Sequence, residues 1–281
     1  MEWTNDSLDF GEYIGDSTPK NMVFLHHTAG SHRPDWTIHG WNTDGTSTNK
    51  SRVATSWVIG GKSTRDGNDD FDGKVYRAFD EEYWAYHLGT RSSDTNGINL
   101  NKNSIGIEIC NYGPLTKSKN GEYFNWAGGK VPENQVYKIE KGFRGYQYYH
   151  RYTEKQLEST KKLLLEISER HNIDLYSGLL EMIEISEKGI VYDGIEDNRK
   201  RQELLNENCI LDYESKEIKV DGIWGKRSEC AWQKLTKGPF DKQECAMMGQ
   251  NGLFSHTNVR LDKSDIHPQP EMIEMIKSLL G

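Results

Sequence analysis

Two short stretches hold the residue types that could do chemistry. MVFLHHTAG, residues 22–30, ends an apolar run on two adjacent histidines, and FSHTNVRLDKSDIHPQP, residues 254–270, gathers His256, Lys263, Asp265 and His267. Imidazole nitrogens and carboxylate oxygens bind zinc, and a catalytic zinc takes three protein ligands and leaves a fourth position for water. A histidine from the first stretch with a histidine and a carboxylate from the second fills that count. Successive side chains on a strand point to opposite faces, so His26 and His27 cannot both enter one site. Residue type alone does not say which of them does.

The other histidines read more plainly. His171 falls on the apolar face of a helix and is expected to pack. His150 sits in the aromatic run YQYYHRY, and His32 and His39 in a polar excursion; none has a metal-ligand spacing. His87, in WAYHLG, is surrounded by aromatic residues and is expected to line a substrate cleft.

The elements that must position these residues are legible as patterns. MVFLHH (22–27) reads as a buried strand, RVATSWVIG (52–60) and GKVYRAF (73–79) as a second and third, joined by a turn-rich hairpin tip. NSIGIEICNYG (103–113) holds a short β-branched strand bounded by Asn and Gly. On it Glu108 faces away from Ile107 and Ile109. TEKQ, with Thr153 and Gln156 three residues apart, is a capping box that opens a helix through Leu157, Leu164 and Ile167. PEMIEMIKSLL (270–280) is a second amphipathic helix begun by Pro270. Strands early and helices late predict an α/β or α+β domain. The DGNDDFDG loop (66–73) lacks the closing Glu of a calcium loop, and GGKS (60–63) lacks the first glycine of a phosphate loop and a following helix.

Composition narrows the class. The 281 residues are 35% hydrophobic and 28% charged, enough for a packed core without staples. A net charge of −8 argues against nucleic acid as a partner. No apolar stretch approaches spanning length, so membrane insertion is not expected, and the lead has no basic and apolar signal pattern. Synthesis in the cytoplasm, with action elsewhere after release, is the expectation. The four cysteines, at 110, 209, 230 and 245, form neither a CxxC pair nor a dense framework, and no disulfide is expected.

Residues 195–237 stand apart as two short helices around an Asp-Gly turn. They resemble the helical peptidoglycan-binding module at Gln202, Leu205, Asp221, Gly222, Trp224, Gly225, Ser228, Ala231, Trp232 and Gln233. This segment reads as an insertion in a domain over 1–281, whose core would be 20–190 and 246–281.

Taken in order, VFLHHTAG, SWVIG, GKVYRAF, YWAYHLG, NSIGIEI and SHTNVRLDKSDIHPQP resemble the zinc-dependent N-acetylmuramoyl-L-alanine amidases of the type-2 family, which includes the peptidoglycan recognition proteins. The resemblance covers 22–113 and 250–281, and more weakly 143–175. It implies a central mixed β-sheet flanked by helices, Zn2+ as cofactor, peptidoglycan as substrate and a monomeric enzyme that cuts between N-acetylmuramic acid and L-alanine. Carried onto this chain, it implies His26, His256 and Asp265 as metal ligands, Glu108 as general base and Lys263 beside the oxyanion. The family's DPG after the third ligand reads DIHP here, which leaves His267 as a competitor for Asp265. A cytosolic start suits a phage endolysin. The alternatives are a non-catalytic peptidoglycan-binding protein on the same fold and a zinc peptidase that cuts the stem peptide.

Overall fold

The computed structural model describes residues 1–44, 51–89 and 97–281. The elements in chain order are β1 (Thr4–Asn5), β2 (Met22–His27), α1 (Pro34–Thr43), β3 (Trp57–Ile59), β4 (Val75–Arg77), α2 (Gly97–Lys102) and β5 (Ser104–Ile109). Then follow β6 (Pro114–Lys117), β7 (Tyr123–Phe124), β8 (Lys130–Val131), β9 (Val136–Phe143), β10 (Tyr146–His150), α3 (Glu154–His171) and α4 (Leu179–Glu187). The chain closes with α5 (Asn198–Glu207), α6 (Lys226–Thr236), α7 (Glu244–Met247), β11 (Gly252–Ser255) and α8 (Pro270–Lys277). The fold is α/β: a mixed central sheet of order β1-β4-β3-β5-β2-β11, parallel except where β3 meets β4, flanked by helices.

Alternation along the central strands sorts their side chains into two layers. Val23, Leu25, Trp57, Ile59, Ile105, Ile107, Ile109 and Leu253 face one way and pack on α3, α4 and α8. Phe24 and Phe254 face the other way with Leu88, Leu100 and Val259. The long helix α3 starts where its capping box predicts. Thr153 Oγ1 accepts from the Gln156 backbone N–H, and the Gln156 side chain accepts from the Thr153 N–H. The same Gln156 donates through Nε2 to the Cys110 carbonyl at 2.8 Å, tying α3 to the end of β5. His171, expected to pack, instead contacts the buried Glu81 carboxylate at 3.1 Å.

A second, five-stranded antiparallel sheet of order β8-β7-β6-β10-β9 lies between β5 and α3, where only an aromatic run was read. It is fastened at the exits of β3 and β5. Gln135 Nε2 donates to the Ser63 carbonyl, and Asn111 Nδ2 donates to the His150 carbonyl. His150 Nδ1 accepts from the Tyr112 N–H at 3.2 Å, so its other nitrogen carries the proton toward Gln135 Oε1. Burial, with His27 and His32 adding, holds this imidazole down to about 3.

A base whose pKa is depressed on folding stabilises the fold fully above its unfolded value of about 6.5 and loses that contribution as pH falls below it. Moving from pH 7 to 5 is expected to cost the native chain roughly 2 kcal/mol more than a His150→Gln variant, read from urea midpoints. Equal losses in both proteins contradict this.

Helices α5 and α6 share a smaller core with the end of α4. Leu205, Ile210, Ile218, Ala231 and Leu235 cluster with Ile185 of α4. Gln202 Oε1 accepts from the N–H groups of Asp221 and Gly222, and its Nε2 donates to the Ile223 carbonyl, so one buried side chain holds the Asp-Gly turn. The buried Lys234 ammonium meets Glu181 of α4 at 2.9 Å. Cys230 of α6 and Cys245 of α7 form a disulfide across a Cα separation of 5.0 Å, contrary to the expectation of free thiols. Only the folding back of α7 onto α6, which spacing does not reveal, brings the two together.

Candidate metal centre and its surroundings

Strand register assembles the site. Parallel pairing sets His26 opposite Glu108, and Leu25 opposite Ser255, so β11 ends one residue before the level of His26. His256 begins a 3-10 turn there, held by Asn258, whose Oδ1 accepts from the Ser255 N–H and whose amide donates to Pro239 and Asp241 carbonyls. The Thr257 N–H donates to the Asp265 carbonyl and draws the following loop back over the strand ends. Residues at positions 26, 108, 256 and 265, far apart in the chain, therefore meet on one face.

His26 Nδ1 lies 3.0 Å from His256 Nδ1 and 3.5 Å from Asp265 Oδ2, and His256 Nδ1 lies 3.2 Å from that oxygen. All three residues are buried. A tetrahedral ion with bonds of about 2.0–2.1 Å separates its ligand atoms by about 3.3 Å, so this triangle has the size and donor set that zinc takes. Among the described residues, these three form the one His/Cys/Asp/Glu group close enough to hold an ion.

Electrostatics divides the two carboxyl groups. Burial works against the Asp265 carboxylate, but His256 and His26 outweigh it and hold its pKa well below the usual range. Burial and the neighbouring Asp265 push Glu108 well above its ordinary value, against the pull of Lys263. Two carboxyls with pKa values driven apart mark a division between a fixed charge and a proton carrier. One Glu108 oxygen is buried without a hydrogen-bond partner. His26 is lowered to about 4, chiefly by burial and then by His256. Lys263 is half-buried, and its charge acts on both His26 and Glu108.

His27 takes the opposite face, with Nδ1 3.3 Å from the Tyr152 hydroxyl. His267 lies on that side too, stacked between Tyr149 and Tyr152 at ring distances of 4.5 and 4.4 Å, and is not part of the metal triangle. Two residues past Asp265 the chain has already turned into the other layer. His87 does not line a cleft as expected. It is buried behind His26, with Nδ1 3.0 Å from His26 Nε2 and its other nitrogen 2.8 Å from Ser104 Oγ.

One residue that sequence reasoning passed over lies just beyond the end of β2. Trp126, in the turn between β7 and β8, is 72% exposed, yet its indole N–H donates to the Ala29 carbonyl at 2.6 Å. Ala29 follows His26 by three residues, so an exposed indole is pinned beside the exit of the histidine strand. An isolated Trp in a polar turn carries no pattern that would have singled it out.

Comparison with known proteins adds the family. No curated protein matches. The chain is similar to PlyL (TM-score 0.36, 14% identity, 62% of this chain and 77% of that one). It is also similar to AmiD from E. coli, solved with anhydro-N-acetylmuramic acid-L-Ala-D-gamma-Glu-L-Lys (0.34, 16%, 84% and 92%). A third similar structure is AmpDH3 from Pseudomonas aeruginosa (0.33, 17%, 97% and 96%). The family model for N-acetylmuramoyl-L-alanine amidase matches residues 16–189, which include His26 and Glu108 and end before α5. That span is more than half of the chain, and the protein belongs to the N-acetylmuramoyl-L-alanine amidase family of amide hydrolases.

Proposed function

We propose that this amidase is zinc-dependent and cuts the amide bond between the lactyl group of N-acetylmuramic acid and L-alanine in peptidoglycan. The observation that carries the reading is the buried triangle of His26, His256 and Asp265 on the same sheet face as Glu108. Bound there, Zn2+ supplies Lewis-acid polarisation and lowers the pKa of water. Glu108 takes a proton from the attacking water and returns it to the leaving alanine nitrogen, as a carboxyl with a raised pKa can do in both directions. The products are the lactyl carboxylate and a free amine. Lys263 sets a positive charge beside the amide oxygen as it becomes an oxyanion. Trp126 offers a flat apolar face to the incoming wall polymer at the exit of β2.

The segment 195–237 is read as an inserted wall-holding module, and the whole chain as a monomeric phage endolysin made in the cytoplasm that meets the wall after release. No helix among the described residues is long and apolar enough to cross a membrane. The rival reading, a wall-binding protein without catalysis, is disfavoured because all three candidate ligands accompany a carboxyl and a lysine suited to hydrolysis.

Purified sacculi test the metal requirement. Chelator-treated protein is expected to lose the ability to clear them, and added Zn2+ to restore it. Full clearing by protein shown to be free of metal would overturn the zinc reading while leaving the family intact.

A further inference from the structure

The buried chain of contacts behind His26 has a direction that can be worked out atom by atom. The Ser104 hydroxyl lies 2.5 Å from the Leu100 carbonyl oxygen, which can only accept, so the single hydroxyl proton goes to Leu100. Ser104 Oγ is then an acceptor toward His87, and His87 Nε2, 2.8 Å away, must carry a proton. A neutral imidazole carries one proton, so with Nε2 as the donor its Nδ1 is a bare acceptor. The atom facing that acceptor at 3.0 Å is His26 Nε2, which therefore holds the His26 proton. A neutral His26 protonated at Nε2 has an unprotonated Nδ1, and that nitrogen is the one 3.0 Å from His256 and 3.5 Å from Asp265.

We propose that His87 and Ser104 are positioning residues that lock His26 in the tautomer whose Nδ1 is free to bind a metal. The inference rests on the zinc reading above and deepens it: a serine two hydrogen bonds removed from the ligand tunes metal affinity. Partners outside the ligand set typically change affinity by about 10–100-fold.

The absence of a side chain at Gly106 leaves room for this relay. A Cβ on Gly106 would come within 3.0 Å of His87 Cγ and Nδ1 and 2.6 Å of Thr55 Cγ2. Gly106 is two residues before Glu108 on the same face, so a larger residue there would push the imidazole off His26. Around the ring stand Phe24, Thr55, His26 and Ser104, with the charges of His256 and Lys20 acting from farther off.

Two measurements on the full chain test the relay. Long-range proton–nitrogen NMR of the metal-free protein reads the His26 tautomer directly. The expected result is protonation at Nε2 in the native chain and a mixture of tautomers in Ser104→Ala. Zinc competition against a chromophoric chelator is expected to show affinity lowered roughly 10-fold in Ser104→Ala and up to about 100-fold in His87→Met. His87→Gln should stay near the native value, because a carboxamide can accept from His26 and donate to Ser104 as the ring does. Thermal melts of the metal-free variants separate loss of the relay from loss of the fold. His26 protonated at Nδ1 in the native chain overturns the proposal, as does His87→Met binding zinc as tightly as the native chain in a folded protein. A native chain that binds no zinc overturns the metal reading itself, and the relay's role with it.

Discussion

Asp265→Ala is expected to weaken zinc binding by well over the roughly 100-fold that loss of a supporting partner outside the ligand set can cost, and to remove amidase activity with it. The substitution deletes one vertex of a triangle whose edges are 3.0, 3.2 and 3.5 Å, leaving two imidazoles to hold a divalent ion without a compensating charge. That charge is prepared: His256 and His26 keep the carboxyl ionised despite its burial. Because a ligand that binds only the folded state stabilises it, zinc should raise the melting temperature of the native chain and leave that of Asp265→Ala nearly unmoved. Equal zinc-induced shifts in the two proteins would show that the ion sits elsewhere.

Glu108→Gln separates chemistry from metal binding. Proton transfer by a positioned side chain is worth about 100- to 10,000-fold, and kcat should fall by that much while zinc affinity changes little. The amide keeps the size of the carboxyl and cannot accept a proton. In the proposed mechanism the ionised form of Glu108 takes the proton from water, so native activity should rise with pH through the Glu108 pKa. That acid limb should vanish in the variant. The position of the limb reflects burial and Asp265 pushing upward against Lys263 pulling downward. A variant that keeps native kcat, or keeps the acid limb, assigns the proton transfer to another group.

Glu108 and His26 show where sequence is a sufficient guide. The β-branched run around Glu108 and the apolar run before His26 each fix a strand, and alternation then separates Glu108 from its isoleucine neighbours and His26 from His27. Thr153 and Gln156 announce a helix start through local hydrogen bonds, and the start falls there. Such features depend on contacts within a few residues.

What spacing could not convey depends on distant chain. His87 looked like a cleft residue because of its aromatic neighbours, while its position is set by His26, Ser104 and the missing side chain at Gly106. The Cys230–Cys245 bond needs α7 to fold back on α6. The second sheet is built from strands rich in Tyr and Lys, with weak alternation, and its anchoring lies in His150, Gln135 and Asn111. The reading of 52–60 as one strand shrinks to Trp57–Ile59, because the Thr55 hydroxyl turns back to the Trp57 carbonyl. The family match likewise ends at residue 189, before α5 and α6, while His256 and Asp265 lie near the end of the chain, 230 or more residues after His26.

The most direct test is the identity of the bond that is cut. Sacculi digested with the zinc-loaded protein, analysed by mass spectrometry, should yield muramic acid residues with free lactyl carboxylates and peptides that begin with an L-alanine amine. New termini confined to the interior of the stem peptide, with every muramoyl–alanine bond intact, would contradict the account.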